Sequence, residues 1–292
     1  MAASRFLSLV VAASLAATPA LAQKKVERRL PLGMEGAFRI VNMVGSVTVH
    51  GWNKDTVLVR ASLPQLDKLL MGGTYTGAKM FIENADDRDP KPTHLEVWVP
   101  ARTKLWIKTA TANIDVTGVD GQLDLYVVSG TIDVNGNPRE LNAEAIDGDI
   151  HVVGSPSWLR AKSASGTITL RGGSSDAAFS TVSGAIRIDG GDFERTKVET
   201  VTGNITFTGM LDRSGTFDFD THSGNVDTVL PEKVNADVSA VTMSGNITNN
   251  LSKARPVSGR FGRGTELNVE IGAGGAKISV RTFKGPVTLR RP

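Results

Sequence analysis

Ser129-Gly130-Thr131-Ile132-Asp133-Val134 is the stretch that decides the fold, because the chain repeats it. Each copy has a small polar residue, Gly, a polar residue, Ile or Val, and then in most copies a polar and an apolar residue. Further copies begin at Asp147, Ser165, Ser183, Thr202, Ser223, Ser244 and Lys284, and an earlier copy at Thr111 has Ala112 in place of Gly. From Ala112 to Gly245 the copies are 18, 18, 18, 18, 19, 21 and 21 residues apart, and 40 residues separate Gly245 from Gly285. Spacing this regular predicts a repeat architecture.

Alternation of apolar and polar residues within each copy predicts β-strands. Leu123, Leu125 and Val127 share one side of the chain, and Ile132 and Val134 continue it after the Gly. One repeat cannot bury that side alone, whereas repeats stacked about 4.8 Å apart bury a continuous core. We therefore predict an all-β fold, a single-stranded β-solenoid (β-helix) with about 18–21 residues per rung, with Gly at the corners. A β-sandwich is the competing fold, and the strict spacing favours the solenoid.

Stacking also predicts two ladders of polar side chains. The position three before each Gly has inward phase and reads Val127, Ala145, Ser163, Thr181, Thr200, Thr221, Thr242 and Thr282. We expect its hydroxyls to bond one another or the corner backbone. The position after Gly reads Asn204, Asn225 and Asn246 in late copies, and we expect these amides to stack along the axis. Two of these Asn also lie in glycosylation sequons, but their place within the repeat favours the ladder.

Three segments follow one another along the chain. Residues 1–22 hold one charge, an apolar run and the small residues Ala20 and Ala22, which predicts a secretory signal peptide cleaved after Ala22; an uncleaved anchor is the alternative. Residues 23–104 contain strand-like runs without the regular period and form a predicted divergent β-rich N-terminal cap. Residues 105–292 are the predicted solenoid repeats. No later run approaches the length of a transmembrane helix, so we expect no transmembrane segment in the mature chain.

Composition narrows the function classes. The 292 residues include no Cys, which excludes disulfides, thiolate metal sites, a thiol nucleophile and a lipidated N-terminal Cys. A formal net charge of +3 is too small to indicate nucleic acid as a partner. Most of the 31 Gly are assigned to the corners of the predicted rungs.

Searching for chemistry gives no catalytic, cofactor-binding or metal-binding residues. No two of the four His have metal-ligand spacing, and no nucleophile elbow or phosphate loop is present. Asp115, Asp133 and His151 occupy one outward position on successive rungs, with Asp147 and Asp149 on a corner nearby; this strip suits a divalent cation or a solvated face. A second outward column has mixed charges and reads Lys108, Tyr126, Glu144, Lys162, Ser180, Glu199 and Asp220. Outward aromatics are few, chiefly Trp106 and Tyr126.

The repeats and two further motifs resemble a known family. The run from Val41 to Trp52 is similar to an opening phrase N-x-x-G-x-I-x-V-x-G-W, and Val97 to Pro100 followed by Leu105 to Thr109 is similar to a V-x-V-P…L-x-I-x-T junction. Over about residues 34–292 the chain resembles the bacterial β-strand-repeat family called domain of unknown function 4097, provisionally labelled adhesins. The resemblance implies an envelope-associated β-solenoid and supplies no established catalytic residues. Ala112 and the 40-residue final interval depart from the pattern.

Together these observations predict an exported, periplasmic or extracellular protein that is not an enzyme. We expect an adhesin-like or scaffolding module that binds an envelope component, protein or polysaccharide, by surface contact rather than in a pocket. Two alternatives share the fold. One is a polysaccharide-active enzyme, which needs paired carboxylates and aromatic platforms. The other is a filament-forming scaffold of the bactofilin kind, which is cytosolic, and the predicted signal peptide argues against it.

Overall fold

The computed structural model describes residues 23–259 and 262–292, which form 23 β-strands and no α-helix. The predicted signal peptide lies outside the described residues. The strands before the regular repeats are β1 (Gln23–Pro31), β2 (Ala37–Trp52), β3 (Thr56–Pro64), β4 (Lys68–Gly73), β5 (Gly77–Glu83) and β6 (Thr93–Pro100). The all-β fold class is confirmed.

The repeats contribute the next eleven strands. They are β7 (Lys104–Thr117), β8 (Gln122–Ser129), β9 (Ile132–Asn135), β10 (Glu140–Asp147), β11 (Ile150–Val153), β12 (Trp158–Ser163), β13 (Ile168–Arg171), β14 (Ser174–Thr181), β15 (Ile186–Thr200), β16 (Ile205–Thr221) and β17 (Val226–Val229). The C-terminal strands are β18 (Ala236–Ser244), β19 (Ile247–Asn249), β20 (Val257–Ser258), β21 (Thr265–Ile271), β22 (Ala276–Lys284) and β23 (Val287–Arg290).

Up to β17, each repeat pairs in parallel with the next repeat along the chain. Leu123 of β8 aligns with Leu105 of β7 and with Leu141 of β10. After the corner, Ile132 of β9 aligns with Ile150 of β11. These partners are 18 residues apart, so the spacing in the sequence is the register of the ladder. We call the strand segments on the two sides of one repeat Gly a rung.

Inward residues of the rungs form one continuous core. Leu125, Val127 and Ile132 are fully buried, as the alternation predicted. Later rungs are wider in sequence and hold phenylalanines: the ring centroid of Phe207 lies 5.2 Å from that of Phe219 and 6.1 Å from that of Phe217. Burial of these apolar side chains is the main favourable term in the folding of such a stack.

The hydroxyl ladder is inward as predicted, and its partner is the corner backbone. The N–H groups of Gly184, Gly203 and Gly224 donate to the hydroxyl oxygens of the residues three before them, at 3.0, 2.9 and 3.0 Å. The Thr221 hydroxyl in turn donates to the Gly203 carbonyl at 3.4 Å. The Thr221 hydroxyl therefore satisfies its own corner and links it to the preceding rung.

The predicted stack of three Asn amides is wrong. Asn204 accepts through Oδ1 from the backbone N–H of Asn225 at 2.9 Å, a side chain-to-backbone bond rather than an amide-to-amide one. Asn246 does not follow Asn225, because Pro286 lies between them: Val226 N donates to Pro286 O at 3.1 Å and Val287 N to Asn246 O at 2.9 Å. Proline has no N–H to give to the preceding side chain, so this ladder stops there.

The last rung of the chain is inserted into the stack rather than added at its end. Strand β22 pairs in parallel with β16 on one side and β18 on the other, and β23 lies likewise between β17 and β19. Strand β21 covers β18 in antiparallel register, and β20 pairs with β21. The 40-residue interval thus holds a loop and these covering strands, after which the chain returns to the stack between β16 and β18.

The N-terminal region has the same design. Strand β2 pairs in parallel with β7 along its length and on its other side with β5 and β6. Antiparallel strands then cover the end, β4 on β5, β3 on β6 and β1 on β3. Parallel pairing thus continues across the predicted boundary at residue 105, and that boundary stays a prediction. Antiparallel strands cover both ends of the parallel stack.

Candidate binding groove

Three outward columns run across the strands that precede the repeat Gly. The central column is aligned by pairs such as Trp106 with Asp124 and Asn142 with Arg160, and in stacking order reads Arg39, Trp106, Asp124, Asn142, Arg160, Ala178, Lys197 and Asp218. The Gly-side column, predicted from the sequence as a mixed-charge column, reads Lys108, Tyr126, Glu144, Lys162, Ser180, Glu199, Asp220 and Arg281. The far column reads Lys104, Gln122, Glu140, Trp158, Asp176, Arg195 and Thr216.

These columns line an open groove of about 1050 Å³. Its lining spans strands β2 to β16, so the groove runs across the rungs rather than into the core. Ala178 and Ser180 of β14 are small residues between longer ones in their columns, and both line the groove. A site of this shape suits an extended chain better than a small compact ligand, for which enclosed pockets are typical.

Two tryptophans stand in the groove and a tyrosine lies on its Gly-side column. The Arg160 guanidinium lies 4.4 Å from the Trp158 ring centroid, and that of Arg39 lies 5.9 Å from the Trp106 centroid. The Lys108 ammonium lies 5.4 Å from the Tyr126 centroid. Such contacts restrain the rings and keep a hydrogen-bond donor beside each of them.

Sequence reasoning named Trp106 and Tyr126 as the outward aromatics and missed Trp158. The alternation in β12 does indicate it, because Leu159, Ala161 and Ser163 point inward and Trp158, one residue earlier, therefore points outward.

Charges in the groove are balanced and mostly paired. Its lining has six basic and six acidic residues. Asp176 holds Arg160 and Arg195, each at 3.0 Å, and Lys162 lies 3.4 Å from Glu144. The hydrogen bond from Lys197 to Glu199, at 2.8 Å, raises the pKa of Lys197. The groove therefore offers both donors and acceptors without a net field of either sign.

Carboxylates of the predicted acidic strip link rungs to one another. Asp115, Asp133 and His151 do align on successive strands. On the corner, Asp147 accepts from the Ser165 hydroxyl and Asp149 from the Thr167 backbone N–H, both at 2.7 Å. Over residues 23–259 and 262–292, no three Asp, Glu or His side chains are grouped so that they could hold a metal ion.

A second hollow, of about 590 Å³, is lined by residues of β1, β2, β3 and β6. The Ser46 hydroxyl and His94 Nδ1 are 3.0 Å apart within it. Nearby, the His50 ring packs on Trp98 with centroids 5.4 Å apart, and Arg60 lies 5.1 Å from the Trp98 centroid. These residues pack against one another across strands, which is a typical way to stabilise a sheet face.

Comparison with known proteins confirms the resemblance that the repeats indicated, over the later part of the chain. Residues 155–290 match the family model Toastrack DUF4097. No curated protein matches the chain. In the part of the chain that the structure describes, no helix is both long and apolar enough to cross a membrane.

Three solved structures are similar over most of their length. A protein from Clostridium sporogenes, provisionally named a cell adhesion protein, has 9% identity and a TM-score of 0.24, with 93% of this chain and 100% of that chain covered. A provisionally named adhesin from Bacteroides fragilis has 10% identity and a TM-score of 0.46, with 92% and 98% covered. A provisionally named lipid-binding protein from Parabacteroides distasonis has 10% identity and a TM-score of 0.44, with 91% and 96% covered. These likenesses are too remote to assign a ligand or an activity to this chain.

Proposed function

We propose that this chain is an exported, non-catalytic β-solenoid whose groove binds an extended polysaccharide of the cell envelope. The observation that carries the proposal is the groove itself, which crosses successive rungs and presents Trp106 and Trp158 among paired charges. The solenoid is supported by the parallel 18-residue register on both sides of the repeat Gly.

The chemistry of the groove favours a polysaccharide over a charged polymer. Sugar rings present apolar faces that stack on aromatic side chains, and hydroxyls that need both donors and acceptors. The balanced lining supplies both, whereas an acidic or basic polymer would be matched by one sign of charge.

A binding role is favoured over an enzymatic one by the pairing of the carboxylates. Glycoside hydrolysis requires one carboxyl group that stays protonated as an acid. In the groove, the Asp176 carboxylate is paired with Arg160 and Arg195 and the Glu144 carboxylate with Lys162, so neither is left free to give a proton to a glycosidic oxygen.

Binding is tested with the full chain on a panel of soluble neutral and acidic polysaccharides by affinity gel electrophoresis. We expect retardation by at least one neutral polysaccharide, and weaker retardation of Trp158→Ala. Tyr75→Ala is the control, because Tyr75 is an exposed aromatic outside the groove. Equal retardation of both variants would contradict the assignment of the groove, and shortening of the polysaccharide would contradict the non-catalytic role.

Export is proposed from the sequence of residues 1–22. Expression of the full chain in a Gram-negative host should give a periplasmic protein whose N-terminal residue is Gln23. N-terminal sequencing of the periplasmic fraction checks this. An intact Met1 on a cytoplasmic product would contradict it.

A further inference from the structure

An exposed apolar ridge runs along the stack at the position two before the repeat Gly. In stacking order it reads Met43, Ala110, Val128, Ile146, Ala164, Val182, Val201, His222, Phe283 and Met243. Val182 is 54% exposed, Ile146 47% and Phe283 46%. His222 is the one polar residue of the ridge, and its ring stacks on that of Phe283 with centroids 5.0 Å apart. Nine apolar residues in ten successive rungs make a continuous stripe rather than scattered surface residues.

The dimensions of the ridge limit what can cover it. It is one residue wide, with the Gly-side column on one flank and the residues directly before each Gly, here called the corner row, on the other. A membrane covering the ridge would also have to desolvate Glu144 and Lys162 beside it. A partner that meets every side chain must itself repeat at the strand spacing of about 4.8 Å. A second copy of this chain has that period.

We propose that the ridge is a self-association surface on which two copies pack side by side in antiparallel orientation. In a two-fold dimer whose axis passes between Val182 and Val201, these two residues oppose each other across the interface. The next pairs along the ridge are Ala164 with His222, Ile146 with Phe283 and Val128 with Met243. Small residues then face large ones at two of the pairs, which suits interdigitation.

In this same register, charged residues on both flanks of the ridge face residues of opposite charge in the second copy. In the antiparallel dimer the Gly-side columns of the two copies face each other, and so do the corner rows. Glu144 then faces Arg281 of the second copy, and Lys162 faces Asp220. Within one chain Lys162 already lies 3.4 Å from Glu144 and Arg281 lies 3.0 Å from Asp220, so the dimer forms two squares of alternating charge. In the corner row, Asp147 faces Lys284 of the second copy.

Other arrangements place like charges together. If one copy slides by one rung along the other, Glu144 faces Asp220 of the second copy. If it slides by one rung the opposite way, Lys162 faces Arg281. A parallel dimer sets the Gly-side column against the corner row, so that Glu144 faces Asp147 and Arg281 faces Lys284. Like charges opposite each other disfavour these alternatives and select one register. The match also requires the inserted rung, because the insertion places Phe283 before Met243 in the stack.

We expect the dimer to dissociate reversibly and to bring the grooves of the two copies onto one face. Eight rungs at about 4.8 Å and a strip about 15 Å wide bury on the order of 1,100 Å² in total, near the lower bound of stable interfaces. The two-fold axis sets both Gly-side columns on the same face of the dimer, so the two grooves lie side by side.

Cysteine cross-linking tests the orientation directly, because the chain contains no native Cys. Ile146→Cys and Phe283→Cys are prepared as separate full-length proteins and oxidised alone and as a mixture. We expect a disulfide-linked dimer in the mixture and little in either protein alone. Val153→Cys mixed with Phe283→Cys is the control, because Val153 is an equally exposed valine outside the ridge. Cross-linking of Ile146→Cys with itself, or none in the mixture at high protein concentration, would overturn the proposal.

A charge exchange gives an independent readout by sedimentation velocity. Asp147→Lys and Lys284→Asp should each weaken dimerisation of the full chain at least threefold, and the double variant should recover it. Asp147 and Lys284 lie five rungs apart, about 24 Å, so the recovery cannot arise within one chain. A monomeric wild type at every concentration, or a double variant weaker than both single ones, would contradict the antiparallel register.

Discussion

Single hydroxyl groups hold the corners of this stack. The Thr221 hydroxyl accepts from Gly224 N and donates to Gly203 O, and it is almost fully buried. Thr196 is equally buried, yet its hydroxyl makes no hydrogen bond within the described residues. The two threonines therefore differ in what their hydroxyl groups contribute to stability.

Thr221→Val should destabilise the protein by about 1–3 kcal/mol, because it leaves the buried Gly224 N–H without an acceptor. Thr196→Val should be neutral or stabilising, since it replaces an unsatisfied buried hydroxyl with a methyl group. Urea unfolding of both variants checks this difference. An equal decrease in the free energy of unfolding in the two variants would show that the corner hydrogen bonds of Thr221 do not stabilise the protein.

Corner glycines allow neighbouring backbones to approach closely. A Cβ at Gly203 would lie 1.8 Å from Gly184 O, whereas a Cβ at Gly72 would meet no atom within 4 Å. Gly203→Ala should therefore cost about 3 kcal/mol or more, because backbone must move to relieve the contact. Gly72→Ala should change stability little. Thermal melting compares them, and a harmless Gly203→Ala would contradict the tight stacking at the corners.

At the scale of elements, the sequence predicts the regular rungs and fails where chain order and stacking order diverge. The alternation around Gly130 reports burial directly, so β8 and β9 follow from it. The interval between Gly245 and Gly285 carries no comparable signal, because a rung inserted between two others has the same local pattern as one added at the end. This is one of the two reasons why the Asn ladder failed, since the prediction assumed that Asn246 follows Asn225; the other is that Asn204 bonds the backbone of Asn225 rather than its amide.

Surface columns are predictable only in part. Register follows from the spacing, so the Gly-side column was read correctly from Lys108 to Asp220. Which columns lie side by side, and whether their side chains leave a groove, depends on the side-chain conformations and the curvature of the sheet. Ala178 has an ordinary strand pattern, and nothing in that pattern indicates that it lines the groove.

Deletion of residues 276–292 tests the inserted rung. Without β22 and β23, β16 and β18 lose the strand between them, and we expect β18 to β21 to lose amide protection while β8 to β14 keep it. Hydrogen–deuterium exchange with mass spectrometry resolves the two regions, and deletion of residues 291–292 is the control. Unchanged protection of β18 would show that β18 can pair with β16 directly, contrary to the inserted arrangement.

At the scale of the whole molecule, the stack presents two long surfaces with different chemistry. The groove offers aromatic rings among paired charges, and the adjoining ridge offers a narrow apolar seam. A two-fold dimer through the ridge would place two grooves on one face. A ligand long enough to reach both grooves would then bind more tightly than either groove alone allows.

The central claim is that the groove binds a polysaccharide. Isothermal titration calorimetry tests it most directly, with the full chain titrated with the neutral polysaccharide selected from the panel. Kd should rise about three- to tenfold for Trp158→Ala, the loss expected for one aromatic contact, and stay within twofold of wild type for Tyr75→Ala. An unchanged Kd for a correctly folded Trp158→Ala would contradict the assignment of the groove as the binding site.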